Sequence, residues 1–166
     1  MSDWREDLRR VIGEAEKVAV LGAGSILCGD DAAGMLVAQK LRQVAAGNPR
    51  ILALEGSTAP ENFTGVIRAY HPDLLILVDA AYIEGEQGAV ELLSTQQQAG
   101  LSFSTHMLPF DLMLDFVNRE LGCRSAVIGI KAEQVKFDTE PGLAVSKAAA
   151  DLAAEIAALL PWRGQN

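Results

Sequence analysis

The sequence is poor in cysteine, and its two cysteines, Cys28 and Cys123, stand far apart with no C-x-x-C pair. This spacing excludes a disulfide framework and a zinc knuckle. Long apolar runs are also absent, because the longest, Leu74 to Val78, is far too short to span a bilayer. The first ten residues are charged throughout and lack the apolar segment of a signal peptide. We therefore expect a cytoplasmic protein with no membrane partner.

Basic and aromatic residues are scarce as well. The formal net charge is −8, with no basic cluster beyond Arg9 and Arg10, which argues against nucleic acid and anionic membranes as partners. Aromatic residues make up 5% of the chain and hydrophobic residues 49%, so the core is predicted to be mostly aliphatic. With 166 residues the chain is long enough for one domain without disulfides. We treat residues 1–166 as a single domain and expect a monomer.

Apolar runs alternate with segments of helical period along the chain. The first predicted strand begins at Val18, and the other four cover residues 50–54, 74–78, 89–93 and 126–130. The predicted helices cover residues 3–16, 57–70 and 143–160, and two more helices begin after Asp31 and at Pro109. This alternation predicts an α/β fold, a single-domain three-layer sandwich with a mostly parallel, doubly wound sheet of about five strands and helices on both faces. The run 74–78 is the most hydrophobic and is predicted to lie at the sheet centre. The run 89–93 is predicted to be an edge strand, which can pair antiparallel with its neighbour.

Two adjacent aspartates, Asp30 and Asp31, follow the first strand and its glycine turn. One of them can cap the next helix by accepting a backbone N–H. The other lies at the carboxyl end of a parallel strand, where open α/β sheets bind their ligands. Asp79 follows the third strand, which commonly neighbours the first. The carboxylates of Asp31 and Asp79 are then predicted to face each other across a crevice, where they repel unless a proton or a cation lies between them.

One of the two histidines, His106, follows the polar loop 96–104. Added to the two carboxylates, it gives two oxygen ligands and one nitrogen ligand with open positions, which suits nickel, zinc or manganese. The other histidine, His71, precedes a strand and is therefore expected at the opposite edge of the sheet. It is interpreted as a structural residue at a helix end.

Three other interpretations remain open from the residues alone. Each aspartate is also typical of a helix cap. Cys28 could be a nucleophile with His106 as base and Asp79 as orienting group, although a small buried apolar role is more common. The glycine turn resembles a dinucleotide fingerprint but has Leu27 where the third glycine belongs. A metal- or nucleotide-binding module without hydrolytic activity and a Cys28-dependent hydrolase are therefore the alternatives.

Four segments together resemble the [NiFe]-hydrogenase maturation endopeptidases, and most closely the type that serves the large subunit of hydrogenase 3. These segments are Val20 to Gly34 (VLGAGSILCGDDAAG), Gly56 to Asn62 (GSTAPEN), Leu74 to Ala80 (LLILVDA) and Ser104 to Pro109 (STHMLP). The similarity extends from about Val18 to Ile130, and the N-terminal helix, residues 1–16, lies outside it. The chain departs from the family at Ser25, usually asparagine, at Ala32, usually glycine, and at the stretch 129–132, and these positions lie in loops.

The resemblance implies an endopeptidase that removes the C-terminal extension of a nickel-loaded large-subunit precursor. It implies that Asp31, Asp79 and His106 are the catalytic and nickel-contacting residues, with the nickel supplied by the precursor. Another divalent ion can then occupy the site in the free enzyme. Water activation by the metal and by an aspartate, as in an aspartyl protease, both stay open. We expect the precursor to bind at the rim of the crevice, formed by residues 57–62, 84–88 and 96–105.

Overall fold

The structure, a computed structural model, describes residues 3–93 and 108–164. Its five strands are β1 (Val18–Ala23), β2 (Ile51–Ser57), β3 (Leu74–Ala81), β4 (Val90–Leu93) and β5 (Arg124–Lys131). Its helices are α1 (Trp4–Ile12), α2 (Ala33–Val44), α3 (Thr64–Tyr70), α4 (Leu108–Glu120) and α5 (Leu143–Leu159), with 3-10 turns at Gly29–Ala32 and Pro60–Phe63. The predicted order of strands and helices is confirmed.

The five strands form one sheet in the order β2-β1-β3-β5-β4. Neighbouring strands are parallel except β4, which pairs antiparallel with β5 at the edge. β3 lies in the middle, and every one of its eight residues is buried, as its continuous apolar sequence predicts. The predicted central strand, the antiparallel edge strand and the pairing of the first strand with the third are all confirmed.

Helices cover both faces of the sheet, because alternate residues of the strands point to opposite sides. On one face α1, α2 and α5 pack around Val20, Ile76 and Ile128, and on the other α3 and α4 pack around Leu21 and Leu77. This confirms the predicted three-layer sandwich. Among the described residues, none of the helices combines the length and the hydrophobicity that a membrane span needs.

Several element ends differ from the predicted ones. α1 ends at Ile12 rather than at residue 16, and its N-cap is Asp3, whose side chain accepts a hydrogen bond from the backbone N–H of Arg5 at 3.0 Å. The chain leaves α1 through Gly13, which has a φ of 49°. The helix predicted over 57–70 is interrupted, because β2 continues to Ser57 and a 3-10 turn precedes α3.

His71 lies where α3 ends and adopts a left-handed conformation with a φ of 56°. Its backbone N–H donates to the carbonyl of Ile67 at 3.1 Å. The interpretation of His71 as a structural residue at a helix end is confirmed.

Candidate active site

The carboxylate of Asp31 is held at the junction of β1 and α2. Asp31 lies in the 3-10 turn Gly29–Ala32, is 8% exposed, and accepts a hydrogen bond at Oδ2 from the backbone N–H of Ser25 at 2.9 Å. Its own N–H donates to the carbonyl of Cys28 at 3.0 Å. These bonds close the chain into a compact turn, so the Asp31 carboxylate has a fixed place at the carboxyl end of β1.

Close backbone packing at two glycines makes this turn possible. Gly24 has a φ of 120°, and a Cβ there would lie 1.9 Å from the carbonyl oxygen of Asp31. A Cβ on Gly34 would lie 2.2 Å from the carbonyl oxygen of Val78 in β3 and 2.5 Å from that of Ala23 in β1. Since no side chain fits in these spaces, the start of α2 lies directly against the ends of both strands.

Asp79 lies in β3, which neighbours β1 in parallel register. It is 3% exposed, and its Oδ1 accepts a hydrogen bond from the N–H of Ala80 at 2.8 Å. The expectation that Asp79 ends the strand is wrong by two residues, because Ala80 and Ala81 continue the pairing with β5. Asp31, in the turn that follows β1, and Asp79, in the neighbouring parallel strand β3, therefore both lie toward the carboxyl edge of the sheet, as predicted.

Asp30, the neighbour of Asp31 in the chain, is fully buried. Its Oδ2 accepts hydrogen bonds from the backbone N–H groups of Glu133 and Gln134, at 2.9 and 3.1 Å, and from the side-chain amide of Gln87 at 2.6 Å. Its Oδ1 accepts one from the backbone N–H of Gly142 at 2.7 Å. Burial alone raises the pKa of Asp30, but these donors stabilise the ionised form, and the net effect is a lowered pKa.

The expectation that one of the two adjacent aspartates caps the second helix is wrong. The N-cap of α2 is Ala32, and no side chain makes a capping hydrogen bond there. Asp30 instead serves a different helix, because Gly142, whose N–H it accepts, is the N-cap of α5. Sequence reasoning missed this role, since the partners are more than one hundred positions away in the chain.

The other residues predicted for the site are placed as follows. His106 and the loop 96–105 lie outside the described residues. Within residues 3–93 and 108–164, no group of three or more histidine, cysteine, aspartate or glutamate side chains is arranged to hold a metal ion. Cys28 is partly exposed, and its backbone forms a parallel bridge with Thr139. Two of the segments predicted to bind the precursor, residues 57–62 and 84–88, are described by the structure and lie at the carboxyl ends of β2 and β3.

A group of exposed apolar side chains beside the site was not predicted. It consists of Ile26, Leu27, Val135 and Phe137, and we call it the apolar rim. Leu27 is 56% exposed and Phe137 is 71% exposed. The two loops that carry them are joined by a hydrogen bond from the N–H of Asp138 to the carbonyl of Leu27 at 2.8 Å. Isolated apolar residues within the polar stretch 131–140 were the available signal, since exposed apolar patches are typical of binding surfaces.

Comparison with known proteins assigns the chain to a family. The family model described as hydrogenase maturation protease matches residues 35–159. The chain belongs to the hydrogenase maturation protease family. It is therefore a peptidase, and the resemblance inferred from the four sequence segments is confirmed. The matched region extends beyond Ile130 and includes α5.

Individual relatives agree with this assignment. The hydrogenase 3 maturation protease of Escherichia coli strain K12 is 29% identical over 119 residues, which is 71% of this chain and 74% of that protein. The crystal structure of a [NiFe] hydrogenase maturation protease from Thermococcus kodakarensis has a TM-score of 0.83 and 30% identity, and covers 93% of this chain and 98% of that chain. The solution structure of an endopeptidase from Escherichia coli has a TM-score of 0.71 and 26% identity, over 83% of this chain and 87% of that chain.

Proposed function

We propose that this maturation protease removes the C-terminal extension of a [NiFe]-hydrogenase large-subunit precursor that already holds nickel. The substrate follows from the family and from the similarity to a hydrogenase 3 maturation protease. The structural observation that carries the proposal is the position of Asp31 and Asp79, two buried carboxylates toward the carboxyl edge of adjacent parallel strands.

His106 is proposed as the third nickel-contacting residue. α4 begins at Leu108, two positions after His106 in sequence, and ends at Glu120, shortly before β5 begins at Arg124. Because β5 is parallel to β3, the end of α4 lies near the amino edge of the sheet and its beginning lies near the carboxyl edge. Packing of Met113 and Val117 against Leu75 and Leu77 fixes α4 in this orientation. α4 therefore begins near the edge of the sheet toward which Asp31 and Asp79 lie.

The donor set of two carboxylates and one imidazole fits a divalent ion of intermediate softness such as nickel. In this proposal the nickel arrives with the precursor, and its contact with Asp31, Asp79 and His106 holds the scissile bond within reach of a water molecule. Bound there, the ion supplies Lewis acidity toward the scissile carbonyl. The carboxylates bind and orient the cargo, and one of them takes the proton of the attacking water as general base and then gives it to the nitrogen of the departing extension as the peptide bond breaks.

The apolar rim supports a polypeptide substrate. Its side chains are exposed on two loops that a hydrogen bond joins, and the loop of Ile26 and Leu27 leads directly into the turn that carries Asp31. Apolar side chains of a precursor would gain free energy by covering them. Residues 57–62, 84–88 and 96–105 are the remaining parts of the proposed docking surface. We propose that the enzyme acts as a monomer in the cytoplasm.

Processing of a purified, matched precursor tests the proposal. We expect Asp31→Asn, Asp79→Asn and His106→Ala each to lower the rate of processing by about 100-fold or more, since each removes a group that contacts the reacting assembly. Circular dichroism and thermal unfolding should show an intact fold in each variant. Mass spectrometry of the precursor follows the loss of the C-terminal extension, with nickel-free precursor as the comparison.

Cys28→Ser is the control that separates this function from its alternatives. We expect this variant to process nickel-loaded precursor at the rate of the wild type, because Cys28 takes no part in the proposed chemistry. A loss of activity in Cys28→Ser, combined with cleavage of nickel-free precursor, would indicate a cysteine hydrolase. An unchanged precursor mass with the wild-type protein would indicate a binding module without hydrolytic activity.

A further inference from the structure

Asp30 has no remaining capacity to act on a substrate directly. A carboxylate accepts about four hydrogen bonds, and Asp30 accepts four, from Gln87, Glu133, Gln134 and Gly142. It is also completely shielded from solvent. Any contribution of Asp30 to the peptidase reaction must therefore pass through the groups that it holds in place.

Those groups belong to two loops at the carboxyl edge of the sheet. Gln87 lies in the turn between β3 and β4, whereas Glu133, Gln134 and Gly142 lie in the connection between β5 and α5, where Gly142 is the N-cap of α5. Each of these segments is remote from Asp30 in sequence. A single buried carboxylate therefore joins the turn between β3 and β4 to both ends of the connection between β5 and α5.

The backbone of the 3-10 turn that carries Asp31 is tied to the same connection. The N–H of Asp30 donates to the carbonyl of Gln134 at 2.7 Å, and the N–H of Gly29 donates to the carbonyl of Thr139 at 3.0 Å. On its other side the turn is held by the bond from Ser25 to the Asp31 carboxylate. The direction of the Asp31 side chain thus depends on attachments at both ends of a four-residue turn.

Two glycines make the close approach possible. A Cβ on Gly29 would lie 2.3 Å from the carbonyl oxygen of Gln134, and a Cβ on Gly142 would lie 2.4 Å from the amide nitrogen of Gln87. Side chains at these positions would hold the loops apart and break the bonds to Asp30. The absence of side chains at these two glycines therefore lets the loops pack close enough to Asp30 for its hydrogen bonds to form.

We propose that Asp30 is a positioning residue of the peptidase site, which fixes the orientation of the Asp31 carboxylate by anchoring the 3-10 turn to the connection after β5. This inference rests on the proposed function, in which Asp31 contacts the nickel-loaded precursor. It assigns different tasks to the adjacent aspartates: Asp31 contacts the substrate, and Asp30 holds Asp31 in the productive direction.

Substitution of Asp30 by asparagine isolates the role of the charge with almost no change in volume. Asparagine has one acceptor oxygen, so it can retain either the donors at Oδ2 or the donor at Oδ1, and its NH2 group then faces a backbone N–H. Gln87 can rotate its amide to adapt, but the N–H groups of Glu133, Gln134 and Gly142 cannot. The change therefore loosens the turn, while both hydrophobic clusters remain as they are.

The experiment compares Asp30→Asn with two controls in the same precursor-processing assay. Asp73→Asn is the chemical match, because Asp73 also accepts two backbone N–H groups, from Glu16 and Lys17, but lies at the opposite edge of the sheet. Leu41→Ala is the stability match, because Leu41 is fully buried in the last turns of α2, away from Asp31. Initial rates are measured against precursor concentration at a temperature where every variant is folded by circular dichroism.

We expect kcat of Asp30→Asn to fall by about 10- to 100-fold, the range found for groups that orient a contacting residue, with little change in KM. Both controls should keep the kcat of the wild type. Gln87→Met, which removes one donor at a partly exposed position, should give a smaller loss of kcat in the same direction, and it keeps the test decisive if Asp30→Asn does not fold.

Three outcomes would overturn the inference or the function on which it rests. If Asp30→Asn has the same kcat as the controls, Asp30 is purely structural. If Asp30→Asn does not fold, the same comparison is made with Gln87→Met. A loss confined to KM would show that Asp30 shapes a docking surface rather than the orientation of Asp31. A wild-type protein that leaves the precursor uncut would instead refute the proposed function.

Discussion

At the residue scale, the aspartates of this chain show how one side chain serves different purposes. Asp3 accepts the N–H of Arg5 at the start of α1, and Asp73 accepts the N–H groups of Glu16 and Lys17. Asp30 accepts hydrogen bonds from two distant loops, whereas Asp31 and Asp79 lie toward the carboxyl edge of the sheet. The sequence predicted that Asp31 and Asp79 come close and that one of the pair Asp30 and Asp31 has a structural task.

The identity of that task could not be predicted from sequence. Capping of the next helix is the common use of an aspartate after a strand, because the donors are then only two or three residues away. The donors that Asp30 meets come from residues that reach it only when the sheet is complete. Local rules describe bonds between near neighbours and are silent on such long-range partners.

One prediction at this scale concerns the pH dependence of stability. The N–H groups of Lys17 and Glu16 lower the pKa of Asp73 below its usual value of 3.8, helped by the charges of Arg124 and Lys17 and opposed by burial. Asp73 then binds its proton at lower pH in the folded chain than in the unfolded chain. Its contribution to stability is fully present above pH 3.8 and is lost as the pH falls through the folded pKa.

The melting temperatures of the wild type and of Asp73→Asn, measured from pH 7 down to about pH 3, check this prediction. We expect the wild type to be more stable at neutral pH and the difference to shrink in acid. A difference that does not change with pH would contradict a lowered pKa.

At the scale of elements, the contact between α2 and the sheet places Asp31. The start of α2 lies against the ends of β1 and β3 because Gly34 has no side chain. The predicted ends of β2 and β3 were too early, because pairing with neighbouring strands extends a strand beyond its apolar run.

Gly34→Ala tests this packing. The added methyl group would lie 2.2 Å from a backbone oxygen, so α2 must move, and we expect the free energy of unfolding to fall by about 1 to 3 kcal/mol. Gly65→Ala is the matched control, since Gly65 lies in α3 with nothing within 4 Å of the added atom. We expect that change to raise the free energy of unfolding by about 0.5 to 1 kcal/mol.

Urea denaturation of both variants provides the measurement. Equal effects of the two substitutions would show that the approach of α2 to the strands is not tight. A loss of stability in Gly34→Ala accompanied by slower precursor processing would link the position of α2 to that of Asp31.

At the scale of the whole molecule, side chains join segments that are far apart in sequence. Arg50 donates to the carbonyls of Ala15, Glu16 and Pro161, and so connects the start of β2 with the segments that follow α1 and α5. Leu8 and Ile12 of α1 are buried in the same cluster as α2 and α5. The N-terminal helix, which lay outside the sequence resemblance, is therefore part of the core.

These connections predict that the chain unfolds as one cooperative unit. The fluorescence of Trp4 and Trp162 reports on the region of α1 and of the chain after α5, and far-UV circular dichroism reports on the complete fold. We expect both signals to change at the same urea concentration. Leu8→Ala should lower the free energy of unfolding by about 2 to 5 kcal/mol and move both transitions together to a lower urea concentration. A fluorescence transition that comes first would show that α1 is a separate unit.

The sequence by itself determined the α/β class, the central strand with the first strand beside it, and the positions of Asp31 and Asp79 toward one edge of the sheet. These features follow from local apolar periodicity and from the rule that parallel strands end at the same edge. The family followed from the resemblance of four sequence segments, which the family model confirms. Only the tertiary structure decided that Asp30 binds two distant loops, that apolar side chains remain exposed beside Asp31, and that α1 belongs to the core. Those features depend on contacts between residues far apart in the chain, and such contacts exist only once the sheet and its helices have packed.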